Sequence, residues 1–449
     1  MTDPYPSSNS SRLFYWALTS ALAGFIFGFD TVVISGAEQR IQELWGLSAG
    51  VHGLAMSMAL WGTVLGALIG GWPTDRFGRK KTLLWIGVLY FVSAIGSAFA
   101  PEINTFIIAR FIGGVGIGIS TIAGPLYISE IAPAKKRGKL TGMFQFNIVF
   151  GILVAFLSNY LLGGVGENAW RWMLGVEAIP AIAYTLMCFG IPESPRWLIG
   201  VKLDRLGGLE ILRKIRPDDS DERLAEKADE IAQSSGTPRE KTAFWTLRLK
   251  TPIFLAFLIA FFNQLSGINA VLYFAPRIFS MTGLGDEAAL LQSVGIGVTN
   301  LVFTFLGLYL IDRLGRRTLL YIGSFGYIAA LGICSWAFFT ENFAIVPFCI
   351  FTFIGAHAVG QGAVIWVFIS EIFPNSNRAA GQTLGCATHW IFAALLTLFF
   401  PKMVELFPAG FVFLFFCFMM VIQLIWVKMM VPETKGVSLE KIEERLGVW

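Results

Sequence analysis

Charged residues are scarce in this sequence. Asp, Glu, Lys and Arg make up 14% of its 449 residues, against about a quarter in ordinary soluble domains, and hydrophobic residues make up 55%. Apolar stretches of about 20 residues, the length that crosses about 30 Å of hydrocarbon, recur along nearly the whole chain. An ordinary soluble domain is therefore excluded, and the formal net charge of +4 is too small to indicate binding to nucleic acid.

Cysteine is also scarce, and none lies in a loop. All five cysteines fall within apolar segments, so the sequence predicts neither a disulfide framework nor a metal site. The first twelve residues are polar and rich in serine, which is not the pattern of a signal peptide. No nucleophile, base and metal ligands converge at one depth, so we expect no enzyme activity and no cofactor.

Twelve apolar segments fill most of the chain, and they predict an all-α membrane protein. We expect six transmembrane helices within residues 1–190 and six within 251–430. Between them, residues 191–250 are polar enough to form short amphipathic helices in a cytoplasmic linker, and 431–449 form a cytoplasmic tail. The predicted segments are 13–35, 51–73, 82–100, 104–127, 140–162, 171–190, 251–280, 288–311, 318–339, 343–372, 379–400 and 408–430.

The loops show a strong bias in Lys and Arg, which are enriched on the cytoplasmic side of membrane proteins. If the N-terminus is cytoplasmic, the outside loops hold only Arg40 and Lys402, against twelve basic residues inside. Both termini and the linker are therefore predicted to be cytoplasmic. The twelve are Arg76, Arg79, Lys80, Lys81, Lys135, Lys136, Arg137, Lys139, Arg313, Arg316, Arg317 and Arg378.

Three short motifs occur twice, in the same order. DRFGRKK begins at Asp75 and DRLGRRT begins 237 residues later, at Asp312. ISEIAPAKKR ends at Arg137 and ISEIFPNSNR ends 241 residues later at Arg378, while PES at 192–194 is answered by PET 240 residues later. Because each motif falls on the cytoplasmic side both times, the halves are parallel repeats related by a pseudo-two-fold axis along the membrane normal. A central site and alternating access follow from that architecture.

These motifs, together with GFIFGFDTVVISG, ARFIGGVGIG, PESPRWL, QLSGINAVLYF and VPETKG, resemble the sugar porters of the major facilitator superfamily over essentially the full chain. The resemblance implies a secondary transporter of the bacterial plasma (inner) membrane that imports a monosaccharide, hexose or pentose, with a proton. A facilitative sugar uniporter and a polyol or inositol symporter remain alternatives. The implied partners are the monosaccharide, the proton and the lipid bilayer, and we expect a monomer.

Asp30 and Arg110 lie within apolar segments, where a lone charge costs at least about 2.5–3.5 kcal/mol, so each needs a partner or water. By resemblance, Asp30 carries the coupling proton and Arg110 tunes its affinity. Separating the two would raise the pKa of Asp30 and allow it to take a proton. The alternative is a permanent ion pair that only fixes helix packing.

A sugar site needs amide donors and acceptors and an aromatic surface. By resemblance, polar and aromatic residues on several helices would bind the sugar, and Tyr273 would belong to the outer gate. Alternatively, the amide side chains only form hydrogen bonds between neighbouring helices. His357, Gln361 and His389 depart from the family's pattern, as does Ala393, so they should reshape the pocket. Either histidine could titrate near neutral pH or be a satisfied interhelical residue. The full set is Phe27, Gln145, Asn263, Gln264, Asn269, Tyr273, Asn300, His357, Gln361, Trp366, His389 and Trp390.

The repeated motifs also place charges of both signs at the cytoplasmic side. By resemblance they form an ion-pair network that closes this side when the carrier faces outward; alternatively, they are a solvated basic face that only sets topology. This set is Asp75, Arg76, Arg79, Glu130, Arg137, Glu193 and Arg196 in the first half and Asp312, Arg313, Arg316, Glu371, Arg378 and Glu433 in the second.

Overall fold

A computed structural model describes residues 7–133, 136–236, 243–374, 376–437 and 439–447, and Lys135 lies outside these ranges. Twelve of the described helices are long and apolar enough to cross a membrane, and the described residues form no strand, which confirms the all-α fold class. We number these spans α1 (Ser11–Gly36), α2 (Ala49–Ile69), α3 (Arg79–Ala98), α4 (Ile103–Ile131), α5 (Arg137–Leu162), α6 (Ala169–Phe189), α7 (Leu247–Tyr273), α8 (Asp286–Leu314), α9 (Arg316–Phe339), α10 (Phe343–Ile372), α11 (Arg378–Leu406) and α12 (Ala409–Met430).

Three spans that the sequence predicts as continuous are broken, and in α6 the break separates the helices Ala169–Gly175 and Ala178–Phe189. In α7 the helix Lys250–Leu265 ends, and a new helix, Ile268–Tyr273, starts after Gly267. Gly267 has φ +90°, where a side chain would be strained and would also overlap the ring of Phe416. In α10 the break falls at Gly360. Apolar length does not reveal such breaks, because both pieces stay equally hydrophobic.

Seven shorter helices complete the described fold. The linker helices bury a small apolar cluster of their own, which includes Ile199, Leu212 and Leu224, as expected for amphipathic helices at a surface. The division of the chain into the four predicted segments remains an expectation. The shorter helices are Glu38–Leu44, Gly71–Phe77, Pro195–Gly200, Arg205–Ile215, Asp221–Gly236, Ala275–Ser280 and Leu439–Arg445.

The helix packing repeats after six spans. In the first half, α1 packs on α5, α2 on α4, and α3 on both α4 and α6. In the second half, α7 packs on α11, α8 on α10, and α9 on both α10 and α12. The main contacts between the halves, α2 with α11 and α5 with α8, exchange under the same two-fold operation. Two six-helix bundles related by pseudo-two-fold symmetry therefore form the membrane domain.

The third helix of each half begins with the same arrangement. Gly78 and Gly315 precede α3 and α9 with φ +93° and φ +92°, in a region that is almost restricted to glycine. A carboxylate then accepts from the free backbone N–H groups at the helix start. Glu193 accepts from Arg79 N at 2.9 Å, and Glu433 accepts from Arg316 N at 2.9 Å. The repeated glycine and the repeated PE dipeptide thus form one structural unit.

Replacing Gly78 by Ala should destabilise the protein, because an added Cβ is strained at φ +93° and overlaps the Glu193 carboxylate. The strain alone should lower the free energy of unfolding by about 1–3 kcal/mol. Thermal unfolding of the purified protein in detergent should show a lower Tm. Gly142→Ala is the matched control, since a Cβ there meets nothing within 4 Å. Equal Tm values for the two variants would contradict this account.

Candidate functional site

The two halves enclose a central cavity of about 660 Å³, a volume suited to a small-molecule ligand. We call the membrane face with the linker and the Gly78 and Gly315 turns the linker side, and the opposite face the far side. The lining comes from α1, α4 and α5 of the first half and from α7, α8, α10 and α11 of the second. Ten of the predicted cargo-binding residues line it: Phe27, Gln145, Asn263, Gln264, Asn269, Asn300, His357, Trp366, His389 and Trp390.

A chain of amides forms one wall of the cavity. Asn269 donates to Oε1 of Gln264 at 2.6 Å, and Gln264 Nε2 donates to Asn263 at 2.9 Å. The ring nitrogens of His389 lie 3.2 Å from the same Nε2. Since an amide nitrogen only donates, the His389 nitrogen that accepts must carry no proton. The break in α7 brings Asn269 back toward Gln264, so the broken helix assembles this wall.

Aromatic rings surround the same wall. His389 lies between Trp366 and Trp390, with ring centroids 5.2 Å and 4.7 Å from its own. Phe27 of the first half meets Trp390 of the second half at 5.6 Å. On its other side, the cavity is lined by His357, whose Nδ1 lies 2.7 Å from the hydroxyl of Tyr327. Both histidines therefore have hydrogen-bond partners and face the cavity.

Two residues of the predicted set do not line the cavity. Gln361 is fully buried, and its Nε2 donates to Gln423 of α12 at 3.0 Å. The expectation that Gln361 binds the cargo is therefore withdrawn, because the break at Gly360 turns its side chain toward α12. Tyr273 is buried at the far-side end of α7, where the resemblance places an outer gate. Ala393, the other departure, is buried and absent from the lining.

Several lining residues carry no clear sequence signal. Thr121, Thr141 and Gln382 reach the cavity, and Gln382 donates to the backbone oxygen of Trp366 at 3.0 Å. Single polar residues of this kind are common in apolar helices, so nothing marks them as functional before the fold is known. In the part of the chain that the structure describes, no Asp, Glu, Lys or Arg lines the cavity. The site therefore offers hydrogen bonds but no charge.

Asp30 and Arg110 form a buried ion pair inside the first half. Arg110 Nη1 donates to the Asp30 carboxylate, and Nη2 donates to the Asp30 backbone oxygen at 3.1 Å. Among the described residues, Oδ2 of Asp30 and Nε of Arg110 have no hydrogen-bond partner. The pair does not line the cavity, although Phe27 and Thr31 on the same helix do. α1 thus connects the ion pair to the cavity.

Glu177 of α6 is a third ionisable group beside this ion pair, and it is not among the predicted site residues. It is buried and interacts electrostatically with both Asp30 and Arg110. An acidic residue within the sixth apolar segment was a usable signal, because such a residue must find a partner inside the bundle. The first half therefore holds two carboxyl groups and one guanidinium in a single buried cluster.

Charges at the linker side pair within each half. Arg79 binds both carboxylate oxygens of Glu130 at 2.9 Å and also contacts Asp75 at 3.1 Å. At the repeated positions, Arg316 binds Glu371 at 3.0 and 2.8 Å and Asp312 at 3.2 Å. Bidentate pairs of this kind are strong and fix orientation. Each half thus has the same rigid ion-pair cluster.

The remaining residues of the linker-side set have other environments. Burial raises the pKa of Glu193 above its ordinary value, although its backbone hydrogen bonds oppose this. Glu433 contacts the start of α9, and Arg313 lies over the ring of Tyr309 at 4.0 Å. Among the described residues, no ion pair joins the two halves on this side. Five arginines of the set are in no ion pair among the described residues: Arg76, Arg137, Arg196, Arg313 and Arg378.

On the far side an ion pair does join the two halves. Arg277 of the helix Ala275–Ser280 donates to both oxygens of Glu38 at 2.8 and 2.7 Å. His52 of α2 lies 2.7 Å from the same carboxylate. Burial opposes ionisation of Glu38, but the hydrogen bonds from His52 and Arg277 outweigh it and hold the pKa of Glu38 below its ordinary value. Glu38, His52 and Arg277 are not among the site residues predicted from the sequence.

A family model described as sugar (and other) transporter matches residues 16–446. The chain belongs to this family. It is 34% identical over 477 residues to the D-xylose-proton symporter of Escherichia coli (strain K12), covering 97% of this chain and 96% of that one. It is also 34% identical to the arabinose-proton symporter of Bacillus subtilis (strain 168), covering 95% and 93%. The inward open structure of the Escherichia coli xylose transporter matches with TM-score 0.85 and 31% identity, covering 96% of this chain and 99% of that one.

Removing Arg110 should strongly destabilise the protein, because Asp30 would remain buried without its cation. For Arg110→Gln we expect a loss of about 3–5 kcal/mol in the free energy of unfolding. The double variant Asp30→Asn/Arg110→Gln should recover part of this loss, since one buried charge is removed with its partner. Thermal unfolding in detergent measures both. A double variant less stable than Arg110→Gln would contradict the pairing.

Proposed function

We propose that this protein imports a monosaccharide together with a proton by alternating access. The observation that carries the proposal is a cavity between two parallel halves that holds several amides and no charged side chain, near the buried ion pair of Asp30 and Arg110. Membership of the sugar transporter family supports the proposal, and both relatives described above are named as sugar-proton symporters. A facilitative uniporter is less well supported, because it has no use for an ionisable Asp30 inside the bundle.

The cavity suits a neutral polyhydroxylated molecule. Each sugar hydroxyl can both donate and accept, and Gln264, Asn269 and Gln145 offer both functions. The rings of Trp366 and Trp390 provide the apolar surface against which a sugar ring packs. A charged cargo, such as a sugar phosphate, would be buried without a counter-ion at a large cost. We therefore propose a hexose or pentose, with a polyol or inositol as the alternative that has the same chemistry.

The ion pair between Asp30 and Arg110 is proposed as the proton site. While Arg110 holds the carboxylate, ionised Asp30 is stabilised; when movement of α1 separates them, protonation becomes favourable. Phe27 and Thr31 line the cavity from the same helix, so cargo binding can shift this equilibrium. Glu177 would hold Arg110 after it leaves Asp30, which keeps the guanidinium paired throughout.

The gate assignments follow from where the halves meet. Because Glu38 and Arg277 join the halves at the far side, we propose that the cavity opens toward the linker side in this conformation. The likeness to an inward open transporter supports this state. In the outward-facing state, we propose that the clusters around Arg79 and Arg316 approach each other and close the linker side.

Orientation and assembly complete the proposal. We propose a plasma (inner) membrane location with both termini and the linker in the cytoplasm, since Lys and Arg are concentrated in the loops of that side. Each chain contains both halves and a complete cavity, so we propose that one monomer is the transporting unit. The linker side is then the cytoplasmic face and the far side is the outer face.

Asp30→Asn should abolish accumulation of sugar against its gradient but keep counterflow exchange, because an amide cannot carry the coupling proton. Uptake into liposomes with an imposed pH gradient measures the first, and exchange without a gradient measures the second. Asp286→Asn, an exposed change at the far-side start of α8, is the matched control and should keep both. Undiminished uphill uptake by Asp30→Asn would refute the proton assignment.

His389→Gln should change which sugars bind best. The imidazole that faces Gln264 is replaced by an amide, so the hydrogen bonds open to the cargo change, by about 0.5–1.5 kcal/mol for each bond. Competition of unlabelled hexoses, pentoses and inositol against a labelled sugar should show a different order of apparent affinities. Gln361→Met, which alters a glutamine that points away from the cavity, should keep the order. An unchanged order for His389→Gln would show that His389 does not select the cargo.

A further inference from the structure

The far side of the molecule is closed by a charged cluster that the proposed transport mechanism does not use. Glu38 lies at the start of the helix that follows α1, in the first half, and is 0% exposed. Arg277 lies in the helix that follows α7, in the second half, and its side chain is 21% exposed. The two residues are 239 positions apart, and their hydrogen bonds directly join the halves.

Two further side chains complete the cluster. His52 of α2 contacts the Oε2 atom of Glu38 at 2.7 Å, and because a carboxylate only accepts, the His52 Nε2 must donate. Gln42, one turn after Glu38, accepts from Arg277 Nη2 at 2.6 Å. Phe274 lies against the His52 ring, with centroids 6.3 Å apart. The carboxylate is therefore held by groups from both halves and shielded from water.

We propose that Glu38, His52 and Arg277 form the lock of the far-side gate, which favours the far-closed state and must open in every transport cycle. This proposal rests on the alternating access proposed above. When the halves part on the far side, Arg277 moves away from Glu38, and water must take its place around the carboxylate. The far-closed state is thereby stabilised relative to the far-open state by a pair that exists only in the former.

The two partners should not be equivalent. When Arg277 is replaced by a neutral residue, Glu38 stays fully buried in the far-closed state with His52 as its one remaining partner. The charge of Glu38 is then no longer compensated by Arg277, which destabilises that state. When Glu38 is replaced by a neutral residue, Arg277 can still form hydrogen bonds with Gln42 and with water, because its side chain is partly exposed. Arg277→Gln should therefore shift the conformational equilibrium toward the far-open state more than Glu38→Gln does.

The test measures conformation directly, with no cargo and no proton gradient. Spin labels on cysteines at Glu102 and Asn342, exposed positions in far-side loops of different halves, report the opening by their distance distribution. The five native cysteines are replaced in this background, which must retain transport. We expect Arg277→Gln to raise the ratio of long to short distances at least about tenfold, and Glu38→Gln to raise it less.

Two controls separate the lock from a general effect of charge. Arg40 lies on the same short helix and pairs with Glu43 at 3.8 Å, but both side chains are exposed, so Arg40→Gln should leave the distances unchanged. The double variant Glu38→Gln/Arg277→Gln, which leaves no isolated buried charge, should lie closer to the unaltered protein than Arg277→Gln does. If Arg277→Gln does not yield folded protein, Glu38→Gln carries the test.

An unchanged distance distribution in both single variants, or an equal shift in Arg40→Gln, would overturn the lock. Neither result would bear on sugar or proton transport, which the uptake assays measure independently. The lock and the proposed function can thus fail separately.

Discussion

A charge buried in a protein needs a partner, and this requirement governs where the buried ion pairs of the described residues lie. Asp30 pairs with Arg110 inside the first half, and Glu177 is buried beside them. Arg79 and Arg316 each bind a carboxylate within their own half at the linker side. Glu38 and Arg277 pair across the halves at the far side. The cavity, in contrast, is lined by aliphatic and aromatic side chains with a few amides, hydroxyls and imidazoles.

Ion pairs within one half and ion pairs between the halves have different effects on the conformational equilibrium. Pairs such as Arg79 with Glu130 hold helices of one bundle together and need not break when the bundles rock. A pair between halves exists in one state only, so its free energy contributes to the conformational equilibrium. The duplicated architecture supplies two similar bundles, while residues without a repeated counterpart, such as Asp30, make the two halves chemically different.

Much of the fold was predictable because its signals are local. Apolar length predicts the twelve spans, and the repeated DRxGR and PE motifs predict the two-fold relation between the halves. The break at Gly267 was not predictable from hydrophobicity, since it depends on one backbone angle and on the close approach of Phe416. The same limitation applies to Gln361. Its place in the sequence predicts that it lines the cavity, but the break at Gly360 directs its side chain to Gln423.

The candidate site was partly predictable for similar reasons. The family resemblance predicts which polar residues of the apolar segments belong to the sugar site, as with Gln264 and Asn300. Glu177 could have been found from the cost of a charge in an apolar segment alone. The pair of Glu38 and Arg277 could not, because their contact depends on how two halves meet, and neither residue lies deep within an apolar run.

The central claim, that the protein couples sugar entry to protons through one central cavity, is tested most directly by the unaltered protein reconstituted in liposomes. The measurement is the steady-state level of labelled hexose or pentose inside, with and without an imposed pH gradient, acid outside. The account predicts accumulation above the external concentration only with the gradient, and its collapse when a protonophore is added. Equal inside and outside concentrations under both conditions would contradict proton coupling and identify a facilitator.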